Sequence, residues 1–146
     1  MSTQHSSNTQ NSQDAAQATK QDEAVQAARR AFDAFAHGNR TEEWEDFLEA
    51  PTEDVTMWVP APGRFQGENE GKEQVEAFCR FISEEQEARL EFEEPFRVVA
   101  SGRTVVFEFT DEGTIAGESV SNRIAMSMDV RDGRVEAIRE YVGVIG

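Results

Sequence analysis

Hydrophobic spacing changes once along this chain, near Ala88, and that switch limits the fold more than any motif does. Before it, Val25, Ala28, Phe32 and Phe35 stand at i, i+3, i+7 and i+10, one stripe of a helix. Gly38 predicts its C-terminal stop, with His37 in the last turn. Thr41 then caps a short helix carrying Trp44, Phe47 and Leu48 inward, closed by Pro51. Residues 55–59 (VTMWV) predict a strand, ended by the breakers Pro60-Ala-Pro-Gly63. A third helix over 71–87 places Val75, Phe78, Cys79 and Ile82 on one face. After Ala88 the period is two. Leu90 and Phe92, then Phe96 and Val98, alternate with other residues, and Pro95 marks a bulge or edge. Residues 104–110 predict a strand, Asp111-Glu-Gly113 a turn, and 114–130 a long strand bent near Gly117. Asp132-Gly133 is a hairpin signal, and 134–142 predict the last strand. Helices gathered first and hairpin-linked strands afterwards predict an α+β fold, with a curved antiparallel sheet around a long helix. Such a sheet leaves a cavity between itself and the helix, the kind of place where small ligands bind.

The length of 146 residues argues for one domain at about 100–200 residues each. Residues 1–22 contain no Val, Ile, Leu, Phe, Tyr or Trp, which predicts a disordered polar tail, helical at most near its end, before a domain over 23–146. No apolar run is long enough to span a bilayer and no secretory leader is visible, so the expected location is cytoplasmic, away from membranes. Cys79 is the single cysteine, so no internal disulfide is expected. A net charge of −15 argues against nucleic acid as a partner, because phosphate contacts need clustered Lys and Arg. Residues 42–94 carry seventeen Asp and Glu against four Lys and Arg, mostly a solvated surface. Twelve Arg against two Lys fit either adaptation to high salt or a high-GC genome. With no His cluster and no glycine-rich phosphate loop, neither a metal nor another cofactor is expected.

Four stretches, in this order, resemble the nuclear transport factor 2 superfamily, in its SnoaL-like and ketosteroid-isomerase-like branch. They are FAHGN at 35–39, EDVTMW at 53–58, FQGENEGKEQV at 65–75 and VRDGRVEAIREY at 130–141. The resemblance implies a cone-shaped curved sheet wrapped around N-terminal helices, and a homodimer through the outer sheet face, near Arg139 and Tyr141. It leaves function open, since the superfamily includes isomerases, cyclases, hydrolases, dehydratases and non-catalytic modules. The ketosteroid-isomerase pattern needs a carboxylate base, an oxyanion-hole acid and a tyrosine where this chain has Val59, Met126 and Ala31. Apolar side chains cannot run that chemistry. The epoxide-hydrolase pattern of two carboxylates and an arginine matches Glu140 and Asp111, but its arginine falls at Phe109, leaving Arg123 or Arg139 to substitute.

Glu140 is the first catalytic candidate. The resemblance turns it into the pocket, where desolvation would raise its pKa; the alternative is a structural pair with Arg123 or Arg97. Asp111 is the weaker candidate, because its D-E-G context also fits a solvated turn. Candidate ligand-binding residues are Trp58, Phe32, Phe35, Phe78, Phe109, Asn122, Met126 and Ile138, with core packing as the default reading of the aromatic ones. Asn122 and Arg123 point to opposite faces, and the resemblance puts Asn122, Met126 and Met128 inward. A single bulge would reverse that assignment. The expected partner is a small apolar molecule, bound by an isomerase, cyclase or hydrolase with a carboxylate acid/base, or by a non-catalytic binding or dimerisation module.

Overall fold

The computed structural model describes residues 2–144. It comprises α1 (Ser2–Thr41), α2 (Glu45–Glu49), β1 (Pro51–Val59), β2 (Gly67–Glu70), α3 (Lys72–Arg80) with a π-helical turn (Phe81–Glu85), β3 (Ala88–Phe92), β4 (Arg97–Ser101), β5 (Thr104–Ile115), β6 (Glu118–Arg131) and β7 (Arg134–Val144). The seven strands form one curved, unclosed sheet in the order β2-β1-β7-β6-β5-β3, with β4 also on β5. The architecture is α+β, as the change of period predicts. The sheet is mixed rather than antiparallel, because β1 lies parallel to β7, Met57 beside Ile138. Among the described residues no helix is long and apolar enough to cross a membrane.

Several boundaries differ from expectation, each for a tertiary reason. Gly38 does not stop α1. It is buried inside the helix, where a Cβ would overlap the Trp44 indole, and the stop falls at Glu42, whose φ of 68° is left-handed. The Asp111-Glu-Gly113 segment is not a turn but the continuation of β5. Gly113 is needed there because a Cβ would collide with the Arg89 carbonyl of β3. The bend expected near Gly117 is a tight turn at Ala116-Gly117 that ends β5 and starts β6. β3 and β4 pair with successive halves of β5, and the interruption between them contains Pro95. β2, too short and polar to show a period, pairs with the end of β1.

The helix α1 runs through the polar N-terminal segment that sequence predicts to be a disordered tail. Its alanines and glutamines favour helix, and extending a helix from a packed turn is cheaper than nucleating one. Residues 12–23 are exposed, and burial begins at Ala24. From there α1 crosses the concave face of the sheet. The Phe32 ring lies 4.8 Å from both Phe107 and Phe109, and Phe35 lies 4.8 Å from Phe47. This aromatic layer continues into Met57, Met126, Met128 and Ile138, all buried.

Candidate active site

Beyond the aromatic layer the helices and sheet separate, leaving a cavity of about 350 Å³. Phe35 and Asn39 of α1, Phe78 of α3 and Ile82 and Gln86 cover it; β3, β5, β6 and β7 form its floor; residues 59–62 form part of the rim. The π-helical turn contributes to the cover. The Gln86 N–H donates to the Phe81 carbonyl five residues back (2.9 Å), and both Ile82 and Ser83 are buried. Ser83 Oγ accepts from Trp44 Nε1 at 2.9 Å, tying this turn to the start of α2.

Strand alternation selects which polar groups reach the cavity. Asp111 faces Asn122 across β5 and β6, and Glu140 faces Met126 across β6 and β7, all on the concave side. Asp111 is only 2% exposed and accepts a 2.9 Å hydrogen bond from Asn122 Nδ2 on one carboxylate oxygen. Burial pushes its pKa up, and the Asn122 bond partly offsets this. Glu140 has no hydrogen-bond or ion-pair partner among the described residues. Burial, and secondarily the charge of Asp111, push its pKa up to about 7. The two carboxyl groups are thus electrostatically linked within one largely apolar chamber. A group balanced near neutrality can both give and take a proton.

The arginines expected as partners for Glu140 are engaged elsewhere. Arg97 makes a two-oxygen contact with Glu108 at 2.9 and 3.0 Å, and Arg123 lies over the Phe96 ring, 4.6 Å from its centroid. Arg139 is on the convex face, bonded to both carboxylate oxygens of Asp129 and to Ser127 Oγ. Among the described residues no arginine lines the cavity, so neither Arg123 nor Arg139 completes the epoxide-hydrolase pattern.

Of the candidate residues, the structure brings Glu140, Asp111, Asn122, Phe35 and Phe78 together on the cavity wall. Phe32, Phe109, Met126 and Ile138 face the same side of the sheet but are sealed in the core, outside the lining. Trp58 differs most. It is on the convex face, its ring 5.4 Å from Tyr141, because Met57 and Val59 take the inward positions of β1. Sequence reasoning missed Asn39, Gln86, Leu90 and Phe92 as lining residues. Asn39 was legible in principle, four residues after Phe35 and so on the same helical face; reading Gly38 as a stop hid it.

The fold, a cone of curved sheet over an N-terminal helix with an acidic-walled cavity, is that of the nuclear transport factor 2-like superfamily. Residues 28–138 match the SnoaL-like domain, and the chain belongs to that family. It is similar to an NTF2-like protein from Anabaena variabilis, with 40% identity and a TM-score of 0.80 over 86% of this chain and 92% of that one. A protein from Jannaschia sp. CCS1, provisionally named a SnoaL-like polyketide cyclase, shares the fold at 22% identity and a TM-score of 0.69, over 84% of this chain and 87% of that one. A Mycobacterium tuberculosis LEH-like epoxide hydrolase does so at 23% identity and a TM-score of 0.60, over 84% of each chain. Comparison with curated protein sequences returns no match.

Proposed function

We propose that the cavity binds a small, mostly apolar molecule and that Glu140 transfers a proton to or from it, in an isomerisation, cyclisation or hydrolysis. The observation that carries this reading is a carboxyl group without a protein partner, facing an apolar chamber and balanced near pH 7. Burial sets that balance and the charge of Asp111 adds to it, while Asn122 positions Asp111. The similarity to proteins named as a cyclase and an epoxide hydrolase is consistent with this class of chemistry.

The test is a thermal-shift screen against steroids, terpenoid epoxides, polyketide fragments and aromatic acids, followed by turnover of each compound that binds. A ligand at 100 times its Kd adds about 2.7 kcal/mol to stability. Glu140→Gln is expected to keep binding and lose turnover; retained turnover would remove Glu140 from the reaction. One observation favours a second reading, a non-catalytic binding module: Val59, Met126 and Ala31 are buried and apolar where a ketosteroid isomerase needs polar groups. On that reading, compounds bind and none is converted.

A further inference from the structure

The carboxyl groups in the cavity meet no compensating charge. Among the described residues Asp111 and Glu140 are its ionisable lining groups, and no Lys, Arg or His joins them from α1, α3, the π-helical turn, the rim or the neighbouring strands. The nearby amides add acceptors. Asn39 Nδ2 donates to the Phe35 carbonyl and Asn122 Nδ2 donates to Asp111, each at 2.9 Å, which turns both amide oxygens away from those bonds. Those oxygens and the second oxygen of Asp111 have no protein partner. They are not among the sealed unpartnered atoms, a group that among the described residues contains only Thr52 Oγ1, so they open on the cavity they line. Gln86 can present either end of its amide. The walls add the aromatic rings of Phe35, Phe78 and Phe92.

An apolar chamber with acceptors facing its interior, aromatic rings and unbalanced carboxylates matches a ligand that carries hydrogen-bond donors and positive charge on an apolar body. We propose that the cavity selects small apolar amines in their protonated form, the ammonium group seated between Asp111 and Glu140. This rests on the reading of the cavity as a ligand site and specifies its ligand class. Anionic ligands are disfavoured by the same two carboxylates.

Three probes with one apolar body separate the possibilities: 1-adamantylammonium, 1-adamantanol and 1-adamantanecarboxylate, titrated calorimetrically against the full chain at pH 8 and pH 5.5. At pH 8 Glu140 is ionised, and the ammonium is expected to bind at least tenfold tighter than the alcohol, the carboxylate weakest. At pH 5.5 Glu140 is protonated, Asp111 being the other titrating wall group, and the ratio is expected to fall several-fold. Glu140→Gln and Asp111→Asn, both near-isosteric, are expected to reduce the ratio at pH 8, with folding checked by thermal unfolding. An alcohol that binds as tightly as the ammonium overturns the amine preference and leaves the ligand site standing. An ammonium advantage unchanged in both variants also overturns it, assigning the effect to the acidic surface. Failure of all three probes to bind overturns the amine preference, while the ligand site is decided separately by the thermal-shift screen.

Discussion

Glu140 keeps a carboxyl group where burial disfavours its charge, and the consequence for stability has a definite sign. Its folded pKa of about 7 lies above the ordinary value of 4.5, so the native state holds the proton more tightly than the unfolded chain. The native state is therefore penalised as pH rises from about 4.5 to 7, and the penalty is constant above that. Glu140→Gln removes this dependence. Because Glu140 is half-buried rather than sealed, the variant is expected to gain stability relative to wild type on the order of 1–3 kcal/mol between pH 4 and pH 8. Urea unfolding at the two pH values checks this, and an equal effect at both would place Glu140 outside the desolvated wall. A substitution that stabilises the fold while abolishing turnover is the usual behaviour of a functional group held under strain.

At the scale of elements, two glycines are set by what packs against them rather than by turn geometry. Helix propensity alone makes Gly38→Ala stabilising by about 1 kcal/mol. The Trp44 indole occupies the place of the added methyl, so the expected outcome is the opposite, a loss of about 1–3 kcal/mol from overpacking. Chemical denaturation decides the sign. Gly113→Ala is expected to destabilise through the Arg89 carbonyl and to loosen the β3–β5 pairing, read by faster amide exchange in β3. Because Asp111 and Ile115 line the cavity from this part of β5, the same variant is expected to weaken ligand binding.

The whole molecule has two faces with different chemistry. The convex face presents Tyr141 at 47% exposure and Val99 at 50%, with Trp58 beside Tyr141 and the Arg139–Asp129 pair between them and the sheet centre. A second copy of the chain seated on this face is the proposed homodimer; Tyr141→Glu is expected to halve the mass seen by light scattering, and a wild-type monomer would refute the assembly. The exposed residues 12–23 contribute no buried side chain to the core. A chain starting at Glu23 is accordingly expected to unfold at a temperature close to that of the full chain, measured by calorimetry.

The sequence by itself determined the α+β class, the helical stripe of Val25, Ala28, Phe32 and Phe35 and the hairpin at Asp132-Gly133. Each follows from local period or turn chemistry, which a linear chain displays. It also allowed the family to be recognised, through four ordered stretches. Tertiary structure alone decided that β1 pairs parallel to β7, because strand partners far apart in sequence leave no local trace. It decided that Trp58 is on the convex face, since the inward parity of β1 is set by what Met57 and Val59 pack against. It turned Asp111 from a turn residue into a buried wall carboxylate, because Gly113 serves the approach of β3 and not a reversal of the chain. Above all, it decided which inward residues border empty space and which border one another. Phe35 and Phe109 have the same chemistry in sequence; the gap between helices and sheet distinguishes them, and that gap arises from curvature over the whole sheet.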